Sequence, residues 1–317
     1  MKYLIVGGQG VLGEALVERL NTKENAEMVV ATKVACADSD KVSDKNSHIK
    51  YINLSFQNEK CIFEKLEEIR PDVIFDLNVQ DSVGQAWKNP NETVNVNVVE
   101  TIALLNAVKD LDYKPRLVIG GSGEEYGHLG FDHLPLQESE TPHPVNIFGA
   151  TKACQTMFAK LYHRAYGMNV VVLRTFNETS PLQDDRWAIS SFCKQFVKME
   201  RGEQEKIIHV GNTNIIRDFT DVDDLAHAFE LVAEKGASGE VYNAARGVGV
   251  SIGDIIHHLE QITGITVDIR TDKSKVRPID APAIIADVRK IREDTGWEAS
   301  VDIRTTLEKM VNRWRIA

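Results

Sequence analysis

The chain has 317 residues, 43% hydrophobic and 26% charged, with 9 prolines, a soluble globular mixture long enough for one large α/β domain or two modest ones. A net charge of -10 with no long basic run argues against nucleic-acid binding, so any anionic ligand must be held by local positive groups. Four scattered cysteines (Cys36, Cys61, Cys154, Cys193) lack Cys-x-x-Cys spacing and read as reduced thiols rather than disulfides or metal ligands.

The chain opens directly into the apolar run Lys2-Tyr3-Leu4-Ile5-Val6. No signal peptide is expected, and no run has membrane-spanning length; a cytoplasmic protein with no membrane or nucleic-acid partner is the expectation. The turn Gly7-Gly8-Gln9-Gly10-Val11-Leu12-Gly13 follows that strand and opens a helix over 12–20. Glycines at this spacing between a strand and a helix make a dinucleotide cradle: a tight turn, a close approach for pyrophosphate, and room for helix to pack on strand. A second strand at 28–31 ends in Ala31-Thr32-Lys33, with no acid until Asp38. An acid here selects the ribose hydroxyl and a base tolerates a 2′-phosphate, so NADP is favoured slightly while NAD remains open.

Further strands are expected at 49–53, 73–77, 117–120 and 170–173, with helices at 61–69, 93–109 and 151–166. The strands are short, β-branched and non-alternating, as in a parallel sheet covered on both faces. Strand–helix alternation predicts an α/β fold with a doubly wound (Rossmann) parallel sheet. Beyond 176 the pattern loosens into helices at 187–201, 222–234, 251–263 and 301–314, with a short strand at 206–210. This half reads as a smaller mixed C-terminal substrate-binding lobe. The expected division is a cofactor-binding domain of 1–176 plus about 221–243, and a substrate lobe of 177–220 and 244–317. Asp221, Asp223 and Asp224 begin a helix and read as caps rather than metal ligands; His257-His258 has no acidic or cysteine partner at ligand spacing. No metal is expected.

The ordered series of motifs resembles the extended short-chain dehydrogenases/reductases, the nucleotide-sugar epimerase/dehydratase group, and within it the GDP-mannose 4,6-dehydratases and GDP-4-keto-6-deoxymannose reductases. It runs from Gly7–Gly13 through Ser82-Val83, Trp87-Lys88-Asn89-Pro90, Asn97 and Gly121-Ser122-Gly123-Glu124-Glu125-Tyr126-Gly127. It continues through Phe148–Lys152, Phe176-Asn177-Glu178-Thr179-Ser180-Pro181, Arg217-Asp218-Phe219-Thr220-Asp221-Val222, Arg277-Pro278-x-Asp280-x-Pro282 and Gly296-Trp297.

The resemblance implies binding of NAD(P) and a nucleoside diphosphate sugar, with GDP favoured by the resemblance alone, and hydride exchange at the sugar's C4. On the cofactor it places Gly7, Gln9, Gly10, Val11, Leu12, Gly13, Thr32, Lys33, Asn53, Leu54, Leu77, Asn78, Val79, Asn97 and Lys152. On the substrate it places Ser82, Ser122, Glu124, Asn177, Arg217 and Arg277, with Ser122 at the reacting oxygen and the arginines on the diphosphate. Helices 93–109 and 151–166 match those that build a homodimer interface. The chain departs from the family at its centre. Phe148 stands where the catalytic tyrosine of Tyr-x-x-x-Lys belongs, leaving a ring without a hydroxyl beside Lys152. Glu124 is the first candidate to replace that hydroxyl, with Tyr126 and His143 behind it. A 4,6-dehydratase or epimerase, and a non-catalytic sensor that keeps the cofactor, remain as alternative readings.

Overall fold

Burial on both faces is what the short apolar strands require, and the computed structural model shows them receiving it. It describes residues 1–32, 48–56, 58–275 and 279–317. The first half alternates β1 (Lys2–Val6), α1 (Val11–Leu20), β2 (Glu27–Thr32), β3 (Ile49–Asn53), α2 (Glu59–Ile69), β4 (Val73–Asp76), α3 (Val83–Lys88) and α4 (Pro90–Val94). A π-helical turn at Asn95–Val99 leads into α5 (Glu100–Lys109), followed by β5 (Arg116–Ser122), α6 (Ile147–Tyr166) and β6 (Val170–Thr175). After the short β7 (Asn177–Thr179) come α7 (Ala188–Glu200), β8 (Ile207–Val210), β9 (Ile216–Asp221), α8 (Val222–Lys235) and β10 (Val241–Ala244). The chain closes with β11 (Gly249–Ser251), α9 (Ile252–Thr263), β12 (Asp268–Thr271), β13 (Ala283–Ile284), α10 (Arg289–Thr295) and α11 (Ile303–Ile316).

The main sheet has seven strands in the order β10-β6-β5-β4-β1-β2-β3, and every pairing is parallel. Successive residues of one strand feed opposite layers: Leu4, Ile74 and Leu117 pack with α2 and α5, whereas Tyr3, Ile5, Phe75 and Val118 pack with α1 and α8. This is the doubly wound Rossmann arrangement expected from the sequence, with its switch point between β1 and β4. The later elements gather around a separate apolar cluster that includes Phe192, Phe196, Ile208, Ile255, Leu259, Leu307 and Met310. Two small sheets, one built on β9 and one pairing β8 with β12, complete the fold.

The two departures from the periodicity that bear on the site are in helices. Helix 93–109 is broken by the π-turn, where buried Asn97 accepts from the Gln80 N–H (2.8 Å) and donates to the Gln80 carbonyl (3.2 Å) and Thr151 hydroxyl (3.0 Å). An extra residue in the turn lets one polar side chain face inward without ending the helix. α6 begins at Ile147, before the expected 151, because Asn146 caps it by accepting from the Gly149 N–H at 2.8 Å. That cap brings Phe148 into the first helical turn. Among the described residues no helix is long and apolar enough to cross a membrane, and Cys61, Cys154 and Cys193 are free; Cys36 lies outside the described residues.

Candidate functional site

The C-terminal ends of β1, β4, β5 and β6 lie along one edge of the sheet, where doubly wound folds hold their ligands. At β1 that edge carries the glycine turn. Gly7 has φ +78°, and a Cβ there would stand 2.7 Å from the Leu77 carbonyl oxygen. A Cβ on Gly13 would be 2.5 Å from the Gly8 Cα, so α1 rests directly on the turn. Gly10 is different: a Cβ there would meet only the Gly7 carbonyl oxygen, at 3.5 Å. The exposed Gly10 therefore opens onto free space at the start of a ten-residue helix. The N–H groups of Val11 and Leu12 sit in the first turn, where no intrahelical acceptor exists. This is a cradle for a diphosphate and fits a dinucleotide cofactor.

Beside it, Thr32 ends β2 and Asn53 ends β3 in register with it, with Leu54 N–H on the Thr32 carbonyl at 3.1 Å. Lys33, on which the lean toward NADP rested, lies outside the described residues, as does Arg277. At β4, Asp76 accepts from the Asn78 N–H (3.2 Å), and the Asn78 amide donates to Glu100 at 2.7 Å. Leu77 and Asn78 are half-buried and Val79 is exposed on the same loop, which Gln80 ties to Asn97. Ser82 caps α3, accepting from Gln85 N–H at 3.3 Å.

The end of β5 is the most constrained part of the site. Ser122 is buried; its hydroxyl accepts from the Glu124 N–H at 3.2 Å, and its own N–H donates to Glu125 at 2.9 Å. Glu125 also accepts from the Thr156 hydroxyl and the Arg174 guanidinium, both at 2.8 Å, with its side chain wholly buried. Arg174 lies over the Tyr126 ring, 4.6 Å from its centroid. Glu124 is half-buried, its carboxylate held by the Asn146 amide at 2.8 Å.

Phe148 and Lys152 are both buried, one turn apart on α6. Lys152 donates to the Gly120 carbonyl. Burial pulls its ammonium down to about 8, against the opposing fields of Glu125, Asp76 and Asp81. Of the further residues expected near a proton relay, Tyr126 is turned inward. Its hydroxyl donates to Asn243 at 2.7 Å, and burial pushes it up to about 12. His143 is exposed on the loop before α6. Asn177 is half-buried just beyond β6. Arg217 is buried and donates to Asp280 at 2.6 Å and to the Ile216 and Ala281 carbonyls at 2.9 Å, so a diphosphate would have to share it with Asp280.

Asp221 caps α8 and accepts from the Thr306 hydroxyl at 2.6 Å, and Asp224 holds Ser300 and Val301. These carboxylates tie the chain's end to α8. Two acids went unnoticed in the sequence. Asp81 stands on the β4–α3 loop and Glu178 on β7; the field of Asp81 reaches both Lys152 and Glu178. A signal was present: Glu178 is the one charged residue in the stretch Phe176–Pro181.

A family model described as GDP-mannose 4,6 dehydratase matches residues 4–310. The GDP-6-deoxy-D-mannose reductase of Pseudomonas aeruginosa is 28% identical over 244 residues, covering 77% of this chain and 80% of the relative. The UDP-glucose 4-epimerase of Thermotoga maritima, solved with UDP-glucose, superposes with a TM-score of 0.87 at 28% identity over 100% of this chain and 99% of that one. RMD from Pseudomonas aeruginosa, solved with NADPH, has a TM-score of 0.85 at 24% identity, covering 100% and 99%, a likeness of fold.

Proposed function

Because this chain belongs to the GDP-mannose 4,6-dehydratase family of extended short-chain dehydrogenases/reductases, we propose that it is an NAD(P)-dependent enzyme that oxidises or reduces C4 of a nucleoside diphosphate sugar, GDP-linked in the first instance. The observation that carries the reading is that Lys152 is anchored to the Gly120 carbonyl, two residues before buried Ser122 at the end of β5, on the sheet edge that also carries the Gly10 turn. A retained Ser122–Lys152 pair serves a sugar oxygen and a ribose, whereas a plain tight turn needs neither.

A nicotinamide cofactor would supply or accept hydride; the Val11 and Leu12 N–H groups would hold its diphosphate, and Lys152 its ribose hydroxyls. Ser122 directs the sugar's C4 oxygen. Asn177 and Arg217 face the nucleotide-sugar diphosphate, a task suited to the guanidinium fork.

Incubating the purified protein with GDP-, UDP-, dTDP- and CDP-sugars and either cofactor, followed by mass spectrometry, tests this reading. A change of two hydrogens is the expected result, and the panel names the nucleotide. Loss of water would replace it with a dehydratase. No mass change would leave epimerisation or the sensor, and a C4 nuclear magnetic resonance assay for inversion separates those two.

The chain also forms a homodimer through the 93–109 and 151–166 helices in this reading. Val94, Val99, Met157 and Leu161 are 42%, 51%, 66% and 48% exposed on α4, the π-turn and α6, a cost that a second copy would remove. Sedimentation should report twice the 35.4 kDa chain mass, and Met157→Glu with Leu161→Glu should return it to one; a wild-type monomer rejects the interface.

A further inference from the structure

We propose that Glu178 is the proton donor and acceptor for the sugar's C4 oxygen, the task that Phe148 cannot perform, with Asp81 exchanging that proton with solvent. The inference rests on the C4 reading above.

Placement comes first. β5 and β6 run parallel with Ser122 opposite Thr175, and the chain reaches Glu178 three residues past that point. Glu178 therefore stands at the same strand-end edge as Ser122 and, through α6, Lys152. Its carboxylate is half-buried and takes no hydrogen bond or ion pair from any described residue. Opposite it on β9 is the uncharged Thr220. The charged group whose field it feels is Asp81, and Asp81 in turn feels Arg186, Asp184 and Lys152.

Two carboxylates in one cleft cannot both ionise cheaply, so the pair keeps a proton to higher pH than either would alone. Burial, reinforced by the Asp81 charge, pushes Glu178 up to about 7. Asp81 is raised as well, again by burial, although it is accessible at the rim; protein on its other sides displaces much of its water. An acid titrating near neutrality is suited to both giving and taking a proton. The competing groups are committed elsewhere: Glu124 to Asn146, Tyr126 to Asn243.

In the reducing direction, C4 of a 4-keto sugar accepts hydride from the reduced nicotinamide. The carbonyl π pair then forms an O–H bond with the proton leaving Glu178. The products are the 4-hydroxy sugar, the oxidised nicotinamide and the Glu178 carboxylate, which recovers a proton from solvent through Asp81. Oxidation is the same sequence reversed.

The test begins without any ligand. Difference infrared spectra of the apoprotein should show protonated-carboxyl absorption at pH 6 that disappears with a midpoint of about 7; buried Asp218 contributes to it in every variant, and the component lost in Glu178→Gln should titrate at lower pH in Asp81→Asn. The linked stability has a definite sign. With a folded pKa above the ordinary 4.5, protonated Glu178 favours the fold below pH 4.5, and that advantage is lost as pH rises through about 7. Glu178→Gln should therefore gain in Tm relative to wild type across that window and hold the gain above it.

With the substrate found by the panel, Glu178→Gln should lower kcat by roughly 10²–10⁴ with KM within a few-fold. Adding Phe148→Tyr to that variant should recover much of the loss, which a folding defect would not allow. An unprotonated Glu178 at pH 6, or an unchanged kcat in Glu178→Gln, overturns the proton role alone. Absence of turnover by the wild type on every sugar sinks the C4 reading and this role together.

Discussion

Glu125→Ala should destabilise the protein by about 3–5 kcal/mol, the usual cost of breaking a buried ion pair from one side. The loss is not that of one contact. Glu125 and Arg174 have side chains 0% and 3% exposed, and Glu125 also receives the Ser122 N–H and the Thr156 hydroxyl. Removing it leaves a buried guanidinium whose other described support is the face of Tyr126, and one Arg174 nitrogen already lacks a partner. Urea denaturation of the apoprotein measures the effect. Replacing both residues, as Glu125→Ala with Arg174→Met, should cost less than the single change, because no orphaned charge remains. A single-variant loss under about 1 kcal/mol would mean that the pair is solvated and does not hold the Ser122 loop, since surface pairs fall in that range.

Gly10→Ala and Gly13→Ala should separate binding from folding. At Gly13 a methyl would stand 2.5 Å from the Gly8 Cα and 2.8 Å from the Gly7 carbonyl oxygen, and both are backbone atoms that cannot step aside. Overpacking of this kind costs about 1–3 kcal/mol or more. At Gly10 the methyl has room in the apoprotein, and the residue has ordinary extended angles, φ -75° and ψ 164°. Stability there should change by less than about 1 kcal/mol, chiefly through the poorer cap. The same methyl occupies the approach to the Val11 and Leu12 N–H groups, and losing two hydrogen bonds to a charged ligand, at about 1.5–3 kcal/mol each, weakens binding roughly a hundredfold or more. Thermal melting and calorimetric titration with NAD and NADP read the two effects. Equal affinity in Gly10→Ala would move the dinucleotide away from this turn.

Much of this architecture could be read from residues alone because the central strands of the main sheet are buried. A run such as Leu4-Ile5-Val6 has to be covered on both sides, and the alternating helices supply the cover. The glycine turn was legible for the same reason: its spacing has few other uses. The site was less transparent where contacts are long-range. Nothing in the 93–109 periodicity shows that Asn97 turns in to hold Gln80 and Thr151, because both partners are distant in sequence. The same applies to Glu178 and Asp81, which are 97 positions apart in sequence yet close enough in the fold for the charge of one to be felt by the other. Tyr126 could be judged a packing residue from sequence, and its bond to Asn243 agrees with that. Arg217 gave no hint of its attachment to Asp280.

Phe148 sits on the first turn of α6, held in place by Asn146 and not by any partner of a ring hydroxyl. A change at this position thus leaves the scaffold intact, because the seven strands and their two apolar layers lie below the strand-end edge. A scaffold of this kind separates folding from chemistry: groups on its ligand edge can be exchanged while the layers beneath keep the stability of the whole.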